Sequence, residues 1–340
     1  MGEELYHRER EPREPTGPAG PSPKPPSPPK PPAPPVATTV RDITKSVFDA
    51  LGLTYTPDGN NLCKINMPGA STFKVIDESR FAFGTTKPLE FREVSNNVGR
   101  IAIFAGKKGV SERAVILVLP NETAPNAVLA VISARFSQNS DFFQKLGGGD
   151  PLSPKVILFV LNSHLKDNHG WASQMLASSK KMAVVYIVRS LASKTVGELG
   201  PFATDGVFFR DCLGKMRELT NDSFDFDSVT AMSFSLGIFD LNPFVGAISK
   251  QVNVTRVINL DPERATHAER PKKAVAVEFL SGETGVGAGF ELLLPPRWEK
   301  EDLFKAKEKS GAFKTKPGRL AYFHDRCIAN YCLRLALEKS

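Results

Sequence analysis

The sequence predicts an α/β fold: a mixed sheet with an antiparallel N-terminal meander and βαβ units, two C-terminal helices, and a disordered proline-rich tail at the N terminus. The first 35 residues hold 13 of the 27 prolines. After them, apolar residues recur at the spacings of strands and helices almost to the end of the chain. Because proline fixes φ and lacks an amide donor, the tail is expected to stay as solvated polyproline II. The predicted division is therefore a tail at 1–37 and a body whose N-terminal and C-terminal parts are 38–150 and 151–340.

The N-terminal part of the body begins with a predicted helix and continues as short strands. Apolar residues between Thr39 and Leu51 recur at i, i+3 and i+4 spacings, which indicates a helix. Turn residues rich in Gly, Pro, Asn and Ser then separate short β-like segments, a pattern typical of an antiparallel meander. The predicted strands are 62–67, 72–83, 89–94, 100–105 and 115–119.

The rhythm changes after the strand at 115–119. A helix is predicted from Pro125 to Leu146, followed by a strand at 155–161, a helix at 171–178 and a strand at 182–188. Strands that alternate with helices at this spacing indicate βαβ units and a partly parallel sheet. Later predicted strands are 206–209, 254–260, 274–280 and 290–294; later predicted helices are 212–219, 242–252, 299–309 and 319–339.

The first ten residues contain no apolar core that resembles a secretory signal. The longest apolar run, at 156–161, is far shorter than the roughly 20 residues that span a bilayer. The four cysteines are scattered through the body, as in proteins of a reducing compartment. These observations predict a cytoplasmic protein that is not embedded in a membrane.

The segment from His164 to His169 is the strongest single position for a site. It follows a predicted buried strand, and α/β proteins bind ligands where strands end. The segment supplies two imidazoles and the carboxylate of Asp167, so all three residues are catalytic candidates. Their spacing does not match the i, i+4 histidines of a helical zinc motif, and no metal ligand is assigned. The alternative interpretation is a polar loop that caps the following helix.

A glycine-rich segment is the candidate cofactor-binding element. Glycines allow backbone N–H groups to approach a phosphate closely. The segment lacks the Gly-Lys-Ser/Thr of a phosphate-binding loop and is followed by a predicted strand, which favours a mobile hairpin instead. No cofactor is assigned. The candidate glycines are Gly282, Gly285, Gly287 and Gly289.

Asp261 is the fourth catalytic candidate, because it ends a predicted buried strand and its carboxylate is a potential metal ligand. A composite site would require the glycine hairpin to close over a ligand near Asp167, His169 and Asp261. The sequence contains no Gly-x-Ser-x-Gly segment, the usual nucleophile elbow of α/β-hydrolases. That absence weighs against an α/β-hydrolase.

Two segments are candidates for binding macromolecules. Pro25, Pro28 and Lys30 match the Pro-x-x-Pro-x-basic pattern that SH3-type grooves bind, although a stiff spacer explains the same composition. Most of the formal net charge of +7 lies near the C terminus, which indicates nucleic acid or another polyanion as a partner. The lysines that would bind it are Lys305, Lys307, Lys309, Lys314 and Lys316.

These patterns together favour a non-enzymatic assembly or adaptor protein, whose α/β body holds one protein partner while the proline-rich tail binds another. Two alternatives remain open. The first is a nucleotide- or metal-dependent enzyme that uses the loop at 164–169 and the hairpin at 285–289. The second is a nucleic-acid-binding protein that acts through its basic C-terminal region.

Overall fold

A computed structural model describes residues 38–57, 62–65, 99–120, 125–132, 150–166, 169–178, 180, 182–189, 199–261, 268–279 and 328–338. The proline-rich tail, the glycine-rich segment and the C-terminal lysine cluster therefore lie outside the described residues, as does Asp167. Within the described ranges, no helix is both long and apolar enough to cross a membrane.

One mixed sheet organises the body, in the order β1-β3-β4-β6-β5-β7-β8-β9, with β2 paired to β3. Strands β1 to β4 pair antiparallel and β4 pairs antiparallel with β6. From β6 through β5, β7 and β8 to β9 every pairing is parallel. The predicted mixed sheet, antiparallel at its N-terminal side and built of βαβ units beyond it, is confirmed. The strands are β1 Thr39–Asp42, β2 Cys63–Ile65, β3 Gly99–Lys108, β4 Ser111–Leu119, β5 Val128–Ile132, β6 Ala183–Ile187, β7 Ser228–Phe234, β8 Asn253–Leu260 and β9 Val275–Phe279.

Helices cover both faces of the sheet, because the central strands are apolar on both sides and all five residues of β5 and β6 are buried. Helices α1, α2, α3 and α7 pack on one face, and α4, α5 and α6 pack on the other. Strands from both sides of residue 150 share this one sheet. The helices are α1 Thr44–Ala50, α2 Pro154–Phe159, α3 Trp171–Ala177, α4 Pro201–Thr204, α5 Gly206–Thr220, α6 Ile238–Ile248 and α7 Ala329–Glu338; a π-helix spans Val160–Lys166 and a 3₁₀ turn spans Ser235–Gly237.

Several elements differ from the sequence predictions. The predicted helix at 39–51 is a strand, β1, followed by the short α1, and the predicted helix from Pro125 contains β5. The predicted strand at 155–161 is helical, because Pro154 occupies the first turn of α2, where its missing N–H costs nothing. Short apolar runs do not separate a buried strand from a buried helix, which explains these errors.

The predicted strand at 206–209 is also wrong, because it forms the first turn of α5. Asp205 caps that helix: its Oδ1 accepts a hydrogen bond from the N–H of Phe208 at 3.0 Å. A side-chain cap of this kind satisfies a backbone donor that no helical carbonyl reaches. The cap therefore favours a helix over the extended conformation that the apolar pattern suggested.

The strand order contains a switch point between β5 and β7. The chain leaves β5 for β6 on one side, whereas β7 continues to β8 on the other side. Open α/β sheets bind ligands outside the carboxyl ends of their strands at such a point, since the two connections diverge there and leave a crevice. The carboxyl end of β7, at Phe234, is therefore the place where the fold favours a site.

Candidate functional site

Ser235 follows β7 directly and occupies the sharp turn that joins the strand to α6. Its φ is +54°, in the left-handed region that residues other than glycine rarely adopt. The turn continues through a 3₁₀ segment to Gly237, and α6 begins at Ile238. The side chain of Ser235 is partly exposed, whereas the four residues before it are buried. A partly exposed serine on a strained strand–turn–helix is the geometry of a nucleophile elbow.

Aromatic packing holds the strand immediately before this turn. The ring of Phe234 lies 5.2 Å from the ring of His169 and 5.6 Å from that of Trp171, measured between centroids. Trp171 is fully buried, and its indole N–H donates to the carbonyl of Ala329 in α7 at 3.0 Å. Phe234 is therefore fixed on the face of the sheet that carries α3 and α7.

A buried ion pair holds the helix after the turn. The guanidinium of Arg189, which follows β6, lies 2.8 Å from the Oδ2 atom of Asp240 in the first turn of α6. Both side chains are buried, that of Asp240 completely. The pair thus links the end of β6 to the first turn of the helix that begins just after Ser235.

A row of polar side chains holds β7 from the other face. The hydroxyl of Ser233 donates to Oδ1 of Asn259 at 3.0 Å, and Nδ2 of Asn259 donates to Oε1 of Glu278 at 2.6 Å. The same Oε1 atom accepts from the N–H of Ala268 at 2.9 Å. Ser233, Asn259 and Glu278 are direct cross-strand partners and are completely buried. We call these three residues the polar row.

Asp261 occupies the corresponding turn on the neighbouring strand. Phe234 and Leu260 are paired residues of β7 and β8, so Ser235 and Asp261 each follow the same cross-strand pair. Asp261 has a φ of +46° and is 7% exposed. Left-handed backbone costs about 1–3 kcal/mol at a residue other than glycine and persists at sites where the surroundings enforce it. Two adjacent strands therefore end in strained turns that carry a hydroxyl and a carboxylate.

The two histidines of the predicted loop are buried in an aromatic cluster. Nδ1 of His164 lies 2.5 Å from the hydroxyl of Tyr186 in β6. The rings of His164, His169 and Trp171 pack against one another, with centroids 4.9–5.0 Å apart in each pair. Gly170 occupies the N-cap of α3 with a φ of +60°. Asp167 and Asn168, on which the helix-capping alternative depends, lie outside the described residues. The cluster extends from β6 to Phe234, next to Ser235.

Burial, followed by the nearby charge of His169, lowers the pKa of His164 well below its ordinary value of 6.5. Below about pH 6.5 the imidazole of His164 therefore binds a proton in the unfolded chain that it does not bind in the folded chain. The free energy of unfolding falls as a result by up to about 1.4 kcal/mol for each pH unit. Above that pH the imidazole of His164 is neutral in both the folded and the unfolded chain, so its burial no longer lowers the free energy of unfolding as the pH changes. We expect the melting temperature to fall between about pH 7 and pH 5, and to fall less in His164→Gln. Differential scanning fluorimetry measures the melting temperatures. An equal fall in wild type and in His164→Gln would contradict the assignment of this pH dependence to His164.

The structure places three of the four catalytic candidates, His164, His169 and Asp261, at or near the carboxyl end of β6–β8. Asp167, the four glycines, the tail residues and the C-terminal lysines lie outside the described residues and stay predictions. Among the residues that the structure describes, no group of three or more His, Cys, Asp or Glu side chains is arranged to hold a metal ion.

Sequence reasoning missed Ser235. The strict Gly-x-Ser-x-Gly pattern fails only at its first position, where Ser233 replaces glycine, because residues 233–237 read Ser-Phe-Ser-Leu-Gly. Position 233 accommodates a serine because its hydroxyl donates to Asn259 on the adjacent strand. A search for any small residue at that position, after an apolar run and before a helix, would have found the turn.

No protein-family model and no curated protein matches the chain. Solved structures do match it. An α/β serine hydrolase without a lid from Xanthomonas campestris is 13% identical, with 57% of this chain and 83% of that chain covered and a TM-score of 0.34. The rice cell wall degrading esterase LipA from Xanthomonas oryzae is 10% identical, with 49% and 44% covered and a TM-score of 0.28. The chain spans about half or less of the length of the first solved structures that it matches.

The prediction of a non-enzymatic adaptor is wrong: the turn at Ser235 has the geometry of a nucleophile elbow. The sequence lacks the Gly-x-Ser-x-Gly motif, yet a strained strand–turn–helix is present there with a serine at the first position of the motif.

Proposed function

We propose that this protein is a serine hydrolase in which Ser235 is the nucleophile toward a carboxylic ester. The observation that carries the proposal is the φ of +54° at a partly exposed serine, at the end of a central parallel strand and beside the switch point of the sheet. A left-handed backbone at a serine is unfavourable in free energy, and residues held in such strained conformations cluster at functional sites.

The surroundings of Ser235 support the proposal because they enforce the turn from three sides. The aromatic cluster holds Phe234, the polar row holds Ser233, and the Arg189–Asp240 ion pair holds the helix that follows. A nucleophile on rigid elements keeps its geometry while the substrate reacts, which lowers the entropic cost of reaching the transition state.

The proposed reaction is acyl transfer in two steps. The hydroxyl oxygen of Ser235 attacks the ester carbonyl, its proton passes to a histidine, and the C–O bond to the alcohol breaks as that proton reaches the leaving oxygen. Water then attacks the carbonyl carbon of the acyl-serine and gives a proton to the same histidine. The bond from that carbon to the Ser235 oxygen breaks as the histidine returns the proton to this oxygen, which releases the carboxylic acid and restores the serine hydroxyl. The backbone N–H of Leu236, the residue after the nucleophile, supports the carbonyl oxygen as it becomes negative.

The base in this proposal is one of the five histidines of the chain. His169 is the described candidate that contacts the residue before Ser235, through the ring of Phe234. His164 lies behind it against Tyr186. His7, His267 and His324 lie outside the described residues. Alanine substitution of each histidine in turn, measured by the labelling rate described next, identifies the base as the variant with the largest loss.

The test is covalent labelling of the purified full-length protein by a fluorophosphonate probe, followed by peptide mass spectrometry. We expect a single adduct on Ser235, because only an activated serine reacts at a useful rate. Ser235→Ala should abolish the adduct and reduce hydrolysis of p-nitrophenyl esters by at least about 100-fold. The matched control is Ser249→Ala, which removes an exposed hydroxyl at the other end of α6 and should label normally.

Absence of any adduct on the wild-type protein would contradict the proposal. An adduct that persists in Ser235→Ala, on another serine, would contradict it equally. Melting temperatures of the two variants check that neither result reflects unfolding.

A further inference from the structure

We propose that Glu278 is a positioning residue for the site, acting through Asn259 and Ser233 on the turn that carries Ser235. The inference rests on the proposed function, and it assigns a role to a carboxylate that the reaction itself does not use. Glu278 lies in β9, two strands away from β7, and is completely buried.

The first step of the argument is that the polar row is directional. Oδ1 of Asn259 accepts from Ser233, so its amide nitrogen faces Glu278 and donates there. A rotated amide would present its nitrogen to the hydroxyl and its oxygen to the carboxylate, which is a repulsive contact. The carboxylate of Glu278 therefore fixes the orientation of Asn259, and Asn259 in turn fixes the hydroxyl of Ser233. Charge-assisted hydrogen bonds in a buried setting are the strong ones.

The second step is that Glu278 connects both strained turns. Asn259 lies two residues before Asp261, and Ala268 lies seven residues after it; both donate to the same Oε1 atom. Ser233 lies two residues before Ser235. One buried carboxylate thus anchors the strand that enters the Ser235 turn and both sides of the segment that begins at Asp261.

The third step is energetic. A left-handed serine costs about 1–3 kcal/mol, so the turn relaxes unless neighbouring contacts prevent it. Phe234 is held on one face of β7 by the aromatic cluster. The polar row is the contact that holds Ser233 on the opposite face, where an ordinary elbow has a glycine with no side chain to anchor.

The test reverses the polarity of the row. Asn259→Asp places a carboxylate against Glu278, so one hydrogen bond becomes a repulsion at about pH 8. In Asn259→Asp/Glu278→Gln the amide and the carboxylate exchange places. The carboxylate introduced at position 259 then accepts from the hydroxyl of Ser233 and from the amide introduced at position 278, so the two described side-chain contacts of position 259 are restored. The N–H of Ala268, which donates to the same atom of Glu278, loses its acceptor in this double variant. The control is Thr255→Val, which removes a hydroxyl in the N-terminal half of β8 that bonds only the carbonyl of Val229 in the described contacts.

The measurement is the second-order rate of fluorophosphonate labelling of full-length protein at about pH 8, well below each melting temperature. We expect Asn259→Asp to label at least about tenfold more slowly than wild type. The double variant should label faster than Asn259→Asp, since it restores the two side-chain contacts of position 259 although not the contact with the N–H of Ala268. Thr255→Val should label at the wild-type rate. Rescue by the exchanged pair is not expected of residues that merely fill the core.

The outcomes separate the two proposals. If wild-type protein is not labelled, the proposed function fails and this inference fails with it. If wild-type protein is labelled and Asn259→Asp labels equally fast, only the role of Glu278 is overturned. A double variant that remains as slow as Asn259→Asp also overturns it. If Asn259→Asp does not fold, the double variant alone decides, by its rate relative to wild type.

Discussion

Removing either partner of the Arg189–Asp240 ion pair is expected to lower the free energy of unfolding by about 3–5 kcal/mol. Both side chains are buried, and their charged atoms lie 2.8 Å apart. A single replacement such as Arg189→Met removes the guanidinium that faces the buried carboxylate of Asp240, and the cost of keeping that negative charge out of water without this ion pair dominates the loss. Chemical denaturation of the full-length protein measures the effect.

The matched control for this prediction is the double variant Arg189→Met/Asp240→Leu. Because no isolated charge is left in the interior, we expect it to be more stable than either single variant. Additive losses in the double variant would show that the two side chains do not stabilise the fold as a pair. Since α6 begins three residues after Ser235, the single variants should also slow labelling of that serine more than the double variant does.

The second large effect is expected at Gly206, the first residue of α5. A Cβ atom there would lie 2.3 Å from the carbonyl oxygen of Ala247 and 2.7 Å from its carbonyl carbon, in the backbone of α6. Backbone atoms cannot move aside as the end of a flexible side chain can, so α5 and α6 must separate. We expect Gly206→Ala to destabilise the protein by at least about 1–3 kcal/mol, the usual cost of overpacking. The midpoint of urea unfolding measures it.

Gly214 provides the matched control within the same helix. Among the described residues, a Cβ atom at that position meets only the ring of Phe226, at the ordinary contact distance of 4.0 Å. Gly214→Ala should therefore stabilise α5 by about 0.5–1 kcal/mol, because alanine loses less backbone entropy in a helix. Changes of the same sign at Gly206 and Gly214 would mean that the close approach of α5 to α6 does not limit the fold.

The difference between these two glycines shows what sequence reasoning can reach. Gly206 lies in a segment predicted as a strand and Gly214 in a predicted helix. Nothing in the chain near Gly206 reveals that α6, which begins about 30 residues later, packs against its backbone. Periodicity reports which face of a helix is apolar, but the distance between two helix backbones depends on how both pack on the sheet.

The polar row illustrates the same limit. Ser233, Asn259 and Glu278 are far apart in the chain, yet parallel pairing of three strands aligns them in one row. A single polar residue inside an apolar strand has no visible partner until the register is known. The place of His164 and His169 in the sequence indicated a candidate site, but only the fold shows these rings stacked on each other and buried against Tyr186 and Trp171.

The sequence by itself determined the fold class, because alternating apolar segments and glycine or proline turns record the period of strands and helices locally. It also indicated the end of β8 at Asp261 as a candidate position. The tertiary structure decided that Ser235 lies in a strained turn beside the switch point of the sheet, and that Asp261 follows the paired strand at the same level. Backbone strain and strand register arise from contacts between distant segments, so no local pattern in the chain records them.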